Sequence, residues 1–360
     1  MADDTKGERK EAGAAKAKEP KADIPKRKIV SKVLRGLGVL VALVVVAIVG
    51  FVIWVNAAYD KDFSSTPKPA LAASKDPEII KRGQYVTHAV AHCSACHGNG
   101  DFTQQLKLPE NIDDVRGGYV LSAGPFGTYY PPNITPDDAT GIGKMSDADL
   151  ARIIKHGVGA DGKLALFMSF AVGPMADEDV IAIMSYLRST SPISAQQPKD
   201  DLGFIAKALS ATGKLKPKTM ESPPFVKEGP EPSVDRGRYL AKGPSMCVGC
   251  HSPWDFMDDM KLKGAEFSGQ LEPEPDHMDP NKEIMAPNIT PGGLLANYTE
   301  ADFLDRFKKA GRMVKGSTMP WENFARLMDE DLKSIFRFLK QLPPSNRATG
   351  PTSRPKGWKG

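Results

Sequence analysis

Two copies of a five-residue string, CSACH at 93–97 and CVGCH at 247–251, constrain this chain more than any other feature. Two thiols about one helical turn apart can each form a thioether with one vinyl group of a haem, and the imidazole that follows them then reaches the iron. The pattern therefore predicts two covalently bound haem c groups. Their thioether residues would be Cys93, Cys96, Cys247 and Cys250, which are all the cysteines of the chain, and their first iron ligands His97 and His251.

Other uses of paired cysteines fit this spacing less well. A four-thiolate zinc site normally places its two pairs about 15–20 residues apart, whereas these pairs lie in opposite halves of the chain. A thioredoxin-like redox pair requires a βαβ context, which neither string has. Haem attachment therefore explains the two strings best.

The segment 36–56 is apolar enough to cross a membrane. It carries no charge from Gly36 to Val55, and a helix of that length spans a hydrocarbon core of about 30 Å. Residues 1–35 hold eleven lysines and arginines, a cluster that keeps the N-terminus cytoplasmic. The sequence thus predicts an uncleaved anchor in the cytoplasmic (inner) membrane of a bacterium, with the haem-bearing part in the periplasm. A signal peptide cleaved after Ala57 is the alternative, although its apolar region is usually only about 7–15 residues long.

The net charge of +4 does not describe the haem-bearing part of the chain. Residues 1–35 contribute +5 by themselves, which leaves −1 for residues 36–360. No basic face for nucleic acid is therefore expected. The basic tail itself is rich in Lys, Ala and Glu and is predicted to be disordered.

An internal duplication organises the remainder. The motif Arg-Gly-x-Tyr at 82–85 and 236–239 precedes each haem string, and Pro-Asn-Ile-Thr-Pro at 132–136 and 287–291 follows it. Each copy then has a hydroxyl N-cap with an acid three residues later, at Ser146 and Thr299, and ends with an amphipathic helix. We expect Gly83 and Gly237 to permit close crossing of the first and last helices of each copy, with the nearby tyrosines as packing aromatics.

The duplication sets the expected domain boundaries, and the fold class is mainly α because no segment shows convincing β alternation. Two helical domains are predicted at 75–195 and 231–345, called here the first and second repeat. The other predicted segments are the tail 1–35, the transmembrane helix 36–56, an extended tether at 57–74, a linker at 196–230 and a flexible C-terminal tail at 346–360. The apolar stretch near Phe204 to Leu209 is expected to form a short helix across both repeats.

Methionine-bearing loops offer the second iron ligands. A Met thioether opposite the histidine raises the reduction potential relative to a second histidine. Met319 precedes a proline on a loop between predicted helices, and Met168 holds the equivalent place in the first repeat. Met175 competes with Met168 because it follows a proline in the same loop, whereas Met184 has a core position on a helix.

The remaining histidines are expected to have other roles. His156 and His277 would serve as ligands only in a bis-histidine haem and are otherwise expected on the solvated surface. His88 and His92 lie near the helix of His97 and are expected to point elsewhere.

The repeated Asn-Ile-Thr-Pro segment is open to two interpretations. Its side chains either hold a loop over the haem edge, with hydrogen bonds to a propionate or to backbone, or form an ordinary turn before proline. The residues concerned are Asn133, Thr135, Asn288 and Thr290.

Taken together, these motifs resemble those of membrane-associated multihaem cytochromes c, similar to the cytochrome c subunits of bacterial alcohol, aldehyde and gluconate dehydrogenases. The resemblance rests on the Arg-Gly-x-Tyr, haem-attachment and Asn-Ile-Thr-Pro motifs of both repeats, on Thr140-Gly141-Ile142-Gly143 and on Met319-Pro320-Trp321. It covers about residues 76–345. The resemblance implies two tandem class I cytochrome c domains, His/Met ligation of iron and electrons received from a dehydrogenase partner or a quinol.

The expected function is electron transport by a membrane-anchored dihaem cytochrome c. Its donor would be a quinol-oxidising complex or dehydrogenase in the membrane or periplasm, and its acceptor a protein such as a terminal oxidase. The alternative is a dihaem redox enzyme of the peroxidase or thiosulfate-oxidising type, with one catalytic haem. We expect respiratory or dehydrogenase complex subunits as partners, and neither catalytic residues nor a small-molecule substrate.

Overall fold

The computed structural model describes residues 25–98, 113–168, 173–218, 221–255, 258 and 260–359, with side chains of the first helix described from Val30 onward. Helix α1 spans Pro25–Ala58. Its part from Val30 to Ala58 is long and apolar enough to cross a membrane, a property that a signal sequence near an N-terminus shares. The predicted disorder of residues 1–35 is wrong from Pro25 onward. Proline is well suited to the first turn of a helix, and the basic residues that follow it are good helix formers.

The first repeat contains helices α2 to α5 and a small hairpin. Its elements are α2 (Pro77–Tyr85), a π-helical turn (Val86–Val90), α3 (Cys93–His97), β1 (Leu121–Ser122), a 3-10 turn (Gly124–Phe126), β2 (Gly127–Tyr129), α4 (Asp147–His156) and α5 (Asp177–Ser189). The linker then forms β3 (Asp201–Leu202) and α6 (Phe204–Ala211). The chain is mainly helical, as predicted.

The second repeat follows the same order of helices. Its elements are α7 (Val234–Lys242), α8 (Cys247–Cys250), β4 (Trp254–Asp255), β5 (Lys261–Leu262), β6 (Glu274–Pro275), β7 (Lys282–Ile284), α9 (Glu300–Lys308), α10 (Trp321–Phe324) and α11 (Asp329–Lys340). A last strand, β8 (Ser353–Pro355), lies beyond it.

Segments outside the repeats complete two of the small antiparallel sheets. Strand β3 from the linker pairs with β2, so that the sheet order is β1-β2-β3, and β8 pairs with β7 in a sheet of order β6-β7-β8. The predicted flexible tail at 346–360 is therefore wrong. The Arg354 guanidinium is buried in an ion pair with Glu283, which fixes the strand.

Gly83 and Gly237 permit the predicted close crossing of the first and last helices in each repeat. In the first repeat, α2 crosses α5 so closely that a Cβ on Gly83 would lie 1.9 Å from the Ala182 carbonyl oxygen. In the second repeat, a Cβ on Gly237 would lie 1.9 Å from the Ser334 carbonyl oxygen of α11. Any larger residue would force these backbones apart, so glycine sets the helix crossing in each repeat.

The predicted N-caps are also confirmed. Ser146 Oγ accepts a hydrogen bond from the backbone N–H of Asp149 at the start of α4. Thr299 and Asp302 form a complete capping box at the start of α9. These bonds satisfy backbone donors that the first turn of a helix leaves free.

Residues from Val55 onward form one compact unit that contains both repeats. The predicted tether is extended and hydrogen-bonds to the first repeat, where Ala73 N–H donates to Asp147 and Ser74 N–H donates to Ser185. Helix α6 forms as predicted, whereas its packing across both repeats stays a prediction. Its buried Ala206 packs with Tyr129 of the first repeat.

The tyrosines of the Arg-Gly-x-Tyr motifs do more than pack. Each motif arginine pairs with an aspartate of its own repeat, Arg82 with Asp179 and Arg236 with Asp331. Each tyrosine instead donates to the aspartate of the other repeat, Tyr85 to Asp331 and Tyr239 to Asp179. Residue contacts that are exchanged in this reciprocal way are the mark of a two-fold interface.

The linker crosses this interface. Glu228 forms an ion pair with Arg82 at 3.0 Å and contacts Arg236 at 3.8 Å. The Phe225 ring lies 4.6 Å from the Arg82 guanidinium. One linker segment thus neutralises charge on the motif arginines of both repeats.

Candidate haem-binding site

Each thiol pair begins a helix of about one turn, α3 or α8. The residue just before each pair, His92 or Met246, has a left-handed backbone, with φ of 42° and 52° respectively. Such a conformation is uncommon for residues other than glycine, and it turns the chain sharply out of the preceding helix. Within α3 and α8 the two thiols are three residues apart, which places them on one face of the helix.

Both motif imidazoles are held in the same way. His97 Nδ1 lies 2.8 Å from the Pro132 carbonyl oxygen, and His251 Nδ1 lies 2.8 Å from the Pro287 carbonyl oxygen. A carbonyl oxygen only accepts, so Nδ1 carries the proton and Nε2 keeps its lone pair. Histidines that bind metals commonly donate their other N–H to a carbonyl group in this way.

The surroundings keep these groups neutral. Burial lowers the pKa of both His97 and His251, with the proline carbonyl opposing the effect. Burial also raises the pKa of the Cys93 thiol to about 12 and that of Cys96 to about 11. A neutral imidazole is the form that binds iron.

The residues present fit covalent haem. All four cysteines are free of disulfides, and each pair is followed in the chain by a histidine whose Nδ1 donates to a carbonyl, which leaves the lone pair on Nε2. In the described part of the chain, no three His, Cys, Asp or Glu side chains come together as a metal site, so the four thiols do not gather there as a zinc cluster would require.

The Asn-Ile-Thr-Pro segments form turns that bind backbone. Asn133 Oδ1 accepts from both the backbone N–H and the hydroxyl of Thr135, and its Nδ2 donates to the Ile193 carbonyl at 2.6 Å. Asn288 and Thr290 repeat these bonds, with Nδ2 of Asn288 donating to the Ser345 carbonyl at 2.7 Å.

Each turn therefore holds the chain that leaves the last helix of its repeat, which agrees with the turn interpretation. A contact of these side chains with a haem edge stays a prediction.

The two candidate methionine ligands have similar surroundings. Met168 and Met319 are both half-buried and pack against the main hydrophobic core, whereas the competitor Met175 is only 4% exposed. Met184 is fully buried on α5, as predicted. Residues 169–172, which follow Met168, lie outside the described residues. Ligation by Met168 and Met319 stays a prediction.

Two of the histidines that are not expected to bind iron, His156 and His88, are buried. His156 is buried, and its Nδ1 lies 2.7 Å from the Lys218 carbonyl oxygen, so the expected surface position is wrong. His88 is 2% exposed, and its Nε2 lies 2.7 Å from the Tyr186 hydroxyl. His277 is exposed, as predicted.

Nothing in the sequence distinguished Pro132 and Pro287 as the residues whose carbonyl groups orient the histidines. Their positions at the start of the repeated Pro-Asn-Ile-Thr-Pro string were the available signal. Every residue has a carbonyl group, however, so the pattern alone does not identify the acceptor.

No protein-family model matches the chain. Among curated proteins, it is 28% identical to the cytochrome c subunit of the quinone alcohol dehydrogenase of Gluconacetobacter polyoxogenes, over 78% of this chain and 60% of that protein. It is 30% identical to the gluconate 2-dehydrogenase cytochrome c subunit of Pantoea cypripedii, over 73% of this chain and 59% of that protein. It thus spans about 60% of the length of these two relatives.

A third relative matches over most of its length. This is a diheme cytochrome c-type protein of Cereibacter sphaeroides, which is 28% identical over 74% of this chain and 90% of that protein. The resemblance inferred from the motifs is thus confirmed: the chain is similar to cytochrome c subunits of dehydrogenases and to a diheme c-type cytochrome.

Proposed function

We propose that this chain is a membrane-anchored dihaem c-type cytochrome that carries electrons from a dehydrogenase or a quinol-oxidising complex to an acceptor such as a terminal oxidase. The observation that carries the proposal is the repeated geometry of the histidines. In both repeats Nδ1 bonds to a proline carbonyl at 2.8 Å beside a pair of free thiols. One such arrangement is common in proteins, but two at equivalent positions of a duplicated sequence indicate two sites of one kind.

Each repeat would hold its haem through a defined set of side chains. The thiols would anchor the porphyrin, and Nε2 of His97 or His251, together with the sulfur of Met168 or Met319, would bind the iron. Bound haem supplies the one-electron redox change. The protein contributes burial and fixed ligands, which set the reduction potential.

The neighbouring proline carbonyls have a distinct role in this scheme. By accepting from Nδ1, Pro132 and Pro287 fix the orientation of each imidazole and increase its basicity. They would therefore favour the oxidised iron, whereas a methionine thioether ligand favours the reduced iron. The balance of the two would tune the potential of each site.

The proposed partners are supported by the dehydrogenase relatives and by the apolar first helix. Two relatives are subunits of dehydrogenases, so the proposed donor is a dehydrogenase subunit. The apolar helix would anchor the chain in the inner membrane, with the basic N-terminus cytoplasmic and the repeats periplasmic. An anchor raises the effective concentration of the chain near membrane partners.

The test is a redox titration of the full-length chain, purified in mild detergent from a bacterium that matures c-type cytochromes. We expect two low-spin haems, each with the far-red band of methionine-ligated ferric iron. Membranes that contain the chain should show its reduction when an alcohol or gluconate is added. A Cys247→Ser/Cys250→Ser variant, with one attachment site, is the matched control and should retain one haem. A high-spin or bis-histidine haem would instead support the enzyme alternative.

A further inference from the structure

The end of the helix that leads into the first haem string is capped by side chains of the second repeat. The last carbonyls of a helix have no partner within it. Here Asn323 Nδ2 donates to the His88 carbonyl at 2.7 Å, and Ser245 Oγ donates to the Val90 carbonyl at 3.1 Å. The first repeat thus depends on the second for backbone hydrogen bonds beside its haem string.

Asn323 also contacts the haem string itself. Its Nδ2 donates to Ser94 Oγ at 2.8 Å, and Ser94 lies between Cys93 and Cys96 on α3. Asn323 is 3% exposed and Ser94 is 3% exposed, so water does not compete for these bonds. Since an amide NH₂ group has two hydrogens, both of its donors are used.

The ring next to Asn323 strengthens the same contact. Phe324 packs edge-to-face against His92, with ring centroids 5.4 Å apart. His92 is the left-handed residue that turns the chain into α3. The second repeat therefore contacts the residue before the haem string, the helix end before that residue, and the string itself.

The first repeat contacts the second near its haem string in a different way. At the equivalent helix end of the second repeat, the backbone of Gly243 lies against Gly173 and Pro174, where an added Cβ would meet carbonyl oxygens at 2.3–2.5 Å. This is a steric contact between backbones, whereas Asn323 forms directional hydrogen bonds. Among the described residues, which do not include 169–172, the contacts between the repeats at the two haem strings therefore differ in kind.

Asn323 lies four residues after Met319, the proposed ligand of the second haem, and on the helix α10 that follows it. We propose that Asn323 is a positioning residue that ties the Met319 segment of the second repeat to the α3 helix of the first, so that the environment of each haem depends on the other site. This inference rests on the proposed function. It goes beyond it because it makes the two haems an interacting pair rather than two independent carriers.

The test compares full-length holoproteins that carry Asn323→Asp or Asn323→Ala with the wild type. The aspartate keeps the size of the side chain but replaces the NH₂ group, with its two donor hydrogens, by an oxygen that faces the His88 carbonyl. The alanine removes the donors without adding charge. Asn297→Asp, at an exposed asparagine of the same repeat, is the matched control for charge.

Two readouts are needed. Amide hydrogen exchange of residues 86–98, measured by mass spectrometry, should accelerate about tenfold in both Asn323 variants, because a buried carbonyl loses its partner. A redox titration should show that both midpoint potentials shift, whereas Asn297→Asp leaves exchange and potentials unchanged.

Ser94→Ala removes the first-repeat acceptor of the Asn323 hydrogen bond. It should shift both potentials in the same direction as Asn323→Ala.

The proposal is overturned if exchange in 86–98 is unchanged, if only one midpoint potential moves, or if exchange accelerates while both potentials stay fixed. The last result would make Asn323 a structural contact only. Haem staining of the denatured proteins is read first, because absence of covalent haem from the wild type would refute the proposed function itself rather than this coupling.

Discussion

Tyr85 of the first repeat donates its hydroxyl hydrogen to Asp331 of the second at 2.7 Å, and the same oxygen accepts from the Met328 backbone N–H at 3.1 Å. The reciprocal pair, Tyr239 and Asp179, does the same across the interface, with Tyr239 accepting from the Ala176 N–H. Each of the two aspartates also pairs with the motif arginine of its own repeat, so the bonds between the repeats share residues with the bonds within them.

Removal of one hydroxyl that bonds across the two repeats should destabilise the compact unit that contains them both. We expect Tyr85→Phe to lower the free energy of unfolding by about 1 to 2 kcal/mol, because a hydrogen bond to a buried carboxylate is lost. Urea unfolding followed by both circular dichroism and haem absorption should give one transition at a lower midpoint. Tyr130→Phe, at a partly exposed tyrosine of the first repeat, is the control. Two separate transitions in the wild type would contradict a shared interface.

The helix crossings should not tolerate a methyl group. We expect Gly83→Ala or Gly237→Ala to lower the free energy of unfolding by about 3 kcal/mol or more. The added Cβ would overlap a backbone carbonyl that cannot rotate away. The measurement is the yield and thermal midpoint of the holoprotein. Gly229→Ala, which has open space around the new Cβ, should behave as the wild type. Equal stability of all three variants would refute the close crossing.

Spectroscopy can distinguish the proposed methionine ligands from methionines of the core. Met168→Ala and Met319→Ala should each remove the far-red band of one ferric haem and lower its potential. Met175→Ala should keep both bands while destabilising the fold by about 2 to 5 kcal/mol, because Met175 is buried in the core. Loss of a band in Met175→Ala, with its retention in Met168→Ala, would assign the first ligand to Met175 instead.

His88 should make stability fall at mildly acidic pH. Burial lowers its pKa to about 4, an effect that Asp113 opposes and Arg326 assists, while the unfolded chain has the ordinary value near 6.5. Between these values the unfolded state binds a proton that the folded state does not, so stability decreases as pH falls from about 6.5 to about 4.

The matched variant for this effect is His88→Gln, which keeps a polar group near Tyr186. Over that pH window the free energy of unfolding of the wild type should fall by about 2 to 3 kcal/mol more than that of the variant. Urea unfolding midpoints at each pH measure this difference. His277→Gln, at an exposed histidine, is the control. Parallel pH profiles of wild type and His88→Gln would show that His88 takes up its proton equally in both states.

Local signals in the sequence were sufficient for much of this fold. The N-caps at Ser146 and Thr299 and the glycine crossings depend on residues close in the chain or on a pattern present twice. The cross-repeat bonds of Tyr85 and Tyr239 were not predictable in the same way. A repeated motif does not reveal whether a side chain reaches its own repeat or the other one.

The C-terminal strand shows a second limit of sequence reasoning. Residues 346–360 contain prolines, glycines and charges, which favour a flexible tail. Their order comes from pairing of β8 with β7 and from the buried ion pair of Arg354 with Glu283, whose partners are 71 residues apart. Tertiary contacts of this range override local preference.

The most direct test of the central claim is the intact mass of the purified full-length chain, measured before and after acid-acetone extraction. The account predicts a mass equal to the polypeptide plus two haems, unchanged by extraction, and a Cys93→Ser/Cys96→Ser variant lighter by one haem in addition to the substitutions. A protein whose colour passes into the solvent, or whose mass matches the bare polypeptide, would contradict it.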